Sequence, residues 1–225
     1  MEYQIRGTVM PSVEVSLQQS ESVYTEAGGM AWMTSNIGME TNMKGGMMGA
    51  LKRAVAGESL FMTTYTCQSG SGFVTFTLEV PGTIIPMELA AGQTMICQRN
   101  AFMCAESSVE LDMHVNRKFG AGLFGGEGFI LQKVTGPGTA FFEITGETVQ
   151  YDLEAGQSLK VDPGHLAMMD PTVSFDITRV KGVTNVLFGG EGLFLANITG
   201  PGRVWLQTMP LPNLAASLGR YIKTS

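Results

Sequence analysis

The stretch LFGGEGFILQKVTGPG, from Leu123 to Gly138, returns as LFGGEGLFLANITGPG, from Leu187 to Gly202, 64 residues later. Its glycines are either a cradle for a phosphate or the punctuation of a repeated fold. Gly120-Ala121-Gly122-Leu123-Phe124-Gly125 satisfies GxGxxG, but that motif binds a pyrophosphate only between a strand and a helix, whose N-terminus faces the anion. Here a strand-like run, FILQKV, follows. The later copy reads Thr184-Asn185-Val186-Leu187-Phe188-Gly189 and lacks the first two glycines. The GGEG segments therefore read as bends through which the chain enters a strand, with glycine supplying backbone angles that other residues resist.

The repetition extends outward from this motif. LAAGQTMICQRNAFM from Leu89 matches LEAGQSLKVDPGHLAM from Leu153, and a more diverged copy, ESVYTEAGGMAWM, starts at Glu21. Its second half is GESLFMTTYTCQSGSGF from Gly57, in which Gly57-Glu58 answers Gly126-Glu127 and Gly190-Glu191. Gly28, Asn100 and Gly164 fall at equivalent places, and both residue types tolerate positive φ. The flanking residues alternate and are rich in apolar and β-branched types, which predicts strands joined as a hairpin. Thr135-Gly136-Pro137-Gly138 and Thr199-Gly200-Pro201-Gly202 have the order of a type II turn, with Ser69-Gly70-Ser71-Gly72 as a looser version, predicting a second hairpin per repeat. The expected architecture is all-β, a single domain over 1–225 built from three tandem repeats at about 15–80, 81–144 and 145–209.

Composition narrows the function classes. The chain is 44% hydrophobic and 15% charged, so it is globular rather than disordered. A net charge of −6, with 14 Lys and Arg in all, argues against nucleic acid, whose binding needs clustered cations. Cys67, Cys97 and Cys104 are odd in number and lack CxxC spacing, which disfavours a disulfide framework or a structural zinc site and fits a reducing compartment. The N-terminus carries no basic region leading into an apolar run, and no window is apolar enough to span a bilayer, so a cytoplasmic location is expected.

The triplicated pattern, the AGQ segments, the paired FGGEG and TGPG motifs and KRAVAGESLF in the first copy together resemble the mitochondrial biogenesis AIM family. The resemblance covers most of the chain, and its motifs are not catalytic signatures. It implies a fold similar to the tryptophan RNA-binding attenuation protein, a short relative of the double-stranded β-helix, present three times in a pseudo-threefold arrangement. That likeness is one of fold and carries neither tryptophan nor RNA binding with it. The eukaryotic relative is associated with the mitochondrial inner membrane, a cellular role rather than a chemistry.

Metal sites in such folds need several His and carboxylate ligands converging. His114 and His165 are the only histidines, they occupy inequivalent repeat positions, and no HxH, HExxH or GxSxG occurs. No catalytic residue, cofactor or metal site is therefore expected. The repeated carboxylates Glu58, Glu127 and Glu191 would converge if the copies surround an axis; alternatively each accepts hydrogen bonds from its own glycine-rich bend. In the Met- and Gly-rich insertion between Met30 and Leu60, Met47, Leu51 and Val55 share one face of a short helix. That face is expected either to pack on the β body or to meet a membrane surface or protein partner. A C-terminal helix over 213–222, following Pro212, is expected to cover an exposed end of a sheet.

These readings lead to a non-enzymatic β-rich scaffold or binding protein that forms a homo-oligomer and associates with membranes. The alternative is a small-ligand-binding protein or enzyme whose site lies at the repeat junctions.

Overall fold

The computed structural model describes residues 1–26, 29–42, 62–117, 129–179, 194–219 and 221. They form an all-β molecule of four antiparallel sheets. The first has the order β1-β2-β7-β4, from Glu2–Arg6, Ser12–Gln18, Ser71–Thr77 and Met30–Met33. The second is β5-β6-β3-β10-β13-β8, from Ile37–Asn42, Met62–Cys67, Ser22–Glu26, Phe102–Glu106, Gly138–Thr145 and Gly82–Leu89. The third is β11-β12-β9-β16-β19-β14, from Glu110–Arg117, Phe129–Thr135, Thr94–Gln98, Leu166–Met169, Gly202–Gln207 and Thr148–Leu153. The fourth is β15-β18-β17, from Ser158–Val161, Phe194–Thr199 and Ser174–Arg179.

The sheets stack in that order, because each adjacent pair shares an apolar core. Val13, Val15 and Phe76 of the first sheet meet Tyr65, Cys104 and Phe141 of the second. Phe102, Ala140 and Phe142 meet Met95, Met168 and Trp205 of the third. Ile96, Leu131 and Met169 meet Val161, Ala196 and Ile198 of the fourth. Strand alternation sends neighbouring residues to opposite cores: Phe141 enters one and Phe142 the next, both fully buried. An inner sheet is covered on both faces, which is why FMCA and LAMM are unbroken apolar runs rather than alternating ones.

Strand pairing repeats along the chain. Leu17 pairs with Gly72, Leu89 with Gly138 and Leu153 with Gly202. Thr94 pairs with Thr135 as Ser158 does with Thr199. The inner sheets are joined at their middles by Ala105 with Tyr24 in one and Met169 with Ile96 in the other.

The connections differ from the expected hairpins. β9 pairs with β12 and β16, and β10 pairs with β13 and β3, so the chain between β9 and β10 crosses from one sheet to the next. Likewise β12 and β13, on either side of the TGPG motif, lie in different sheets. The physical reason is burial: strands apolar on both faces need a layer on each side, and switching sheets supplies it. The crossings are 3₁₀ turns at Arg99–Ala101 and Pro163–His165. Asn100 and Gly164 are absent from the residues of positive φ, contrary to expectation, and Gly28 lies outside the described residues. In the second turn the Asp162 carboxylate accepts from the Gly164 N–H at 2.9 Å. The Gly136–Pro137 and Gly200–Pro201 peptides are cis, and Gly138 and Gly202 have φ of 131° and 139°. The strands on either side of residues 118–128 and 180–193 pair with each other instead, β11 with β12 and β17 with β18.

The single described α-helix, α1, runs Leu211–Gly219, earlier than expected, with Pro212 inside its first turn, where a missing N–H costs nothing. None of its residues is fully buried; Leu211, Pro212 and Leu214 are half-buried. No helix among the described residues is long and apolar enough to cross a membrane.

Candidate functional site at the first sheet junction

The expected site residues lie outside the described structure. Glu58, Glu127 and Glu191 all do, as do Met47, Leu51, Val55 and the GxGxxG segment. Of the histidines, His165 holds the Gln207 carbonyl through Nδ1 at 2.7 Å, and His114 is a strand residue whose pKa is lowered by partial burial and by Lys133. Cys67, Cys97 and Cys104 are free and buried, and burial pushes the last two thiols far up. Among the described residues no three His, Cys, Asp or Glu side chains are placed to hold a metal ion.

A cavity lies elsewhere among the described residues, between the first two sheets, with a volume of about 380 Å³. Its polar wall is Glu26, Glu79, Arg99 and Glu143, and its apolar wall includes Met30 and Phe102. Glu26 ends β3 and is held from two sides. Arg99 Nε lies 3.3 Å from its Oε2, and Gln132 Nε2 donates to its Oε1 at 2.7 Å. Glu143 sits in β13 between apolar neighbours that point into the cores. Its pKa is pushed up to about 7, first by burial and then by the charge of Glu79.

The corresponding place between the second and third sheets shows what this arrangement replaces. Glu143 and Gln207 stand at the same distance along β13 and β19 from the paired glycines Gly138 and Gly202. Glu79 corresponds in the same way to Thr145, and Glu26 and Gln98 each close their strands. At the second junction the trio is neutral, buried and joined. Gln207 Nε2 donates to Gln98 Oε1 at 3.2 Å and to the Gly164 carbonyl at 2.8 Å, while the Thr145 hydroxyl lies 3.0 Å from Gln207 Oε1. At the first junction three carboxyl groups occupy those positions around an open cavity. Motif searching missed them because they belong to no contiguous pattern; aligning the copies and looking for charge where a sister copy has an amide would have found them.

A second feature is two of the edge strands that the described residues show. β4 ends the first sheet and β15 ends the fourth. Their counterparts within the molecule, β10 and β16 on one hand and β3 and β9 on the other, are paired on both sides.

Comparison with known proteins agrees with this architecture. An uncharacterized protein of Streptococcus pyogenes serotype M6 is 29% identical over 228 residues, covering 98% of this chain and 90% of the relative. A crystal structure of a Streptococcus pyogenes protein superposes with a TM-score of 0.80 at 25% identity, covering 98% of this chain and 99% of that one. The family model described as Mitochondrial biogenesis AIM24 matches residues 3–209.

Proposed function

Since the chain belongs to the mitochondrial biogenesis AIM24 family, which brings no assigned chemistry with it, we propose that it is a non-enzymatic β scaffold that assembles with copies of itself, β4 of one copy pairing with β15 of the next. The observation that carries this reading is that the two end sheets are complementary halves of an inner sheet. β17-β18-β15 corresponds to β5-β6-β3, and β4-β7-β2 to β10-β13-β8. Joined edge to edge, they repeat the six-strand order of the second sheet, with β1 added outside.

The internal joints specify the register. Ala105 with Tyr24 and Met169 with Ile96 translate to Met33 with Lys160, and Met168 with Cys97 translates to Trp32 with Val161. Exposure supports the same contact: Trp32 is 51% exposed, whereas the residues in its place, Cys104 and Met168, are fully buried. An unpaired edge of this kind presents a row of backbone donors and acceptors that another strand satisfies. Because the joining surfaces differ, the association is head to tail and either closes as a ring or continues.

Light scattering across micromolar concentrations tests the proposal. The wild type is expected to run as an oligomer and Trp32→Asp as a folded monomer, since the substitution puts a charge at the centre of the joint. A monomeric wild type, or a Trp32→Asp variant that assembles unchanged, refutes it.

A further inference from the structure

The cavity at the first junction lies within one chain, bounded on one side by Met30 and Ala31 of β4. The side-chain hydrogen bonds of Gln207 at the second junction join groups without charge: two amides, a hydroxyl and a backbone carbonyl. The first junction uses the same three positions but fills them with groups able to gain or lose a proton. A protonated carboxyl has a donor and an acceptor, as the Gln207 amide does; a carboxylate only accepts.

We propose that Glu143 is a proton-operated latch between the first and second sheets, closed when its carboxyl is neutral and mimics Gln207, and released when it ionises beside Glu79. The proton leaves to solvent through the open cavity, and no other group need change state. The surroundings define how the charge is felt. From β3, Glu26 faces the cavity with its charge already engaged by Arg99, which belongs to the 3₁₀ turn, and by Gln132 of β12. From the segment after β7 comes Glu79, a like charge. From β10 comes the thiol of Cys104, whose pKa is raised first by burial and then by Glu143. The α1 helix contributes Leu211, without charge. The cation in this set, Arg99, is the one that already pairs with Glu26.

The direction of the effect follows from linkage. The folded pKa of about 7 lies above the ordinary 4.5, so between these values the folded state holds more protons than the unfolded one. Stability from this group is full below pH 4.5, falls as pH rises through the window and is lost above about pH 7. The latch thus changes state near neutral pH, where most carboxylates have long since ionised.

Thermal unfolding of wild type and Glu143→Gln between pH 5 and 8.5 tests the latch, because glutamine restores the group found at the second junction. The wild-type Tm should fall across the window while the variant stays flat, so that their difference grows with pH and then levels off. Amide exchange of Phe102 and Met103 of β10 and of Phe142 and Ile144 of β13, corrected for intrinsic base catalysis, should rise roughly tenfold from pH 6 to pH 8 in wild type only. Parallel profiles for the two proteins overturn the proposal. Should Glu143→Gln not fold, the Glu143 carboxyl carbon is titrated by NMR in wild type: a midpoint near 7 supports the latch, and one near 4.5 refutes it.

Discussion

Gly136 leaves no room for a methyl group: a Cβ built there would sit 2.5 Å from the carbonyl oxygens of both Leu89 and Ala90. Gly200 is in the same position against Leu153 and Glu154, at 2.7 and 2.6 Å. The TGPG motif is thus conditioned by close approach of two backbones where the chain changes sheets, and backbone cannot step aside as a side-chain tip can. Gly136→Ala and Gly200→Ala should each destabilise the protein by about 2 kcal/mol, within the range for overpacking, measured by denaturant unfolding. Phe141→Ala removes a fully buried ring that also meets Tyr3 edge-on at 5.0 Å, and is expected to cost about 3–5 kcal/mol. The Cys97 and Cys104 thiols, buried completely and kept protonated by that burial, should resist Ellman's reagent in the native protein at pH 8 and react fully in guanidinium.

At the scale of elements, the outermost ones contribute least to the core. The α1 helix fully buries none of its residues, so truncation after Pro210 should lower stability by no more than about 1 kcal/mol, in line with surface changes that remove no core contact. The salt bridge beneath β19 belongs to the same class. Arg203 donates to Asp170 through both Nε, at 2.9 Å, and Nη2, at 3.0 Å, yet its side chain is well exposed, so Arg203→Ala should cost well under the value of a core substitution. Strands also explain which sequence signals were misleading. A turn residue between two apolar strands suggests a hairpin, but pairing partners depend on which layer each strand enters. Where both faces of a strand are apolar, as in β10 and β16, a sheet change is as consistent with the letters as a hairpin.

On the scale of the whole molecule, four stacked sheets behave as a short one-dimensional array in which each layer touches only its neighbours. The two inner sheets are covered on both faces and the end sheets on one. Native-state amide exchange should therefore be slowest in β9, β10, β13 and β16 and faster in β1 and β17, with the gap widening under mild denaturant. Uniform exchange across all four sheets would contradict layered stability.

The sequence by itself determined the all-β class, the family and the 64-residue recurrence, because alternation, turn glycines and repeated motifs are local properties that survive in a linear string. It also marked TGPG as a turn motif, for the backbone angle of Gly138 and Gly202, and gave no sign of the backbone contact at Gly136 and Gly200. Tertiary structure alone decided which strands pair, since a strand selects its partner through the apolar surface on each of its faces, and those surfaces exist only after stacking. It likewise assembled Glu26, Glu79 and Glu143, which are far apart in the chain and unremarkable one by one. Their meaning comes from a shared cavity, a raised pKa and comparison with Gln98, Thr145 and Gln207 one layer away, and burial and proximity of this kind arise only from the packed fold.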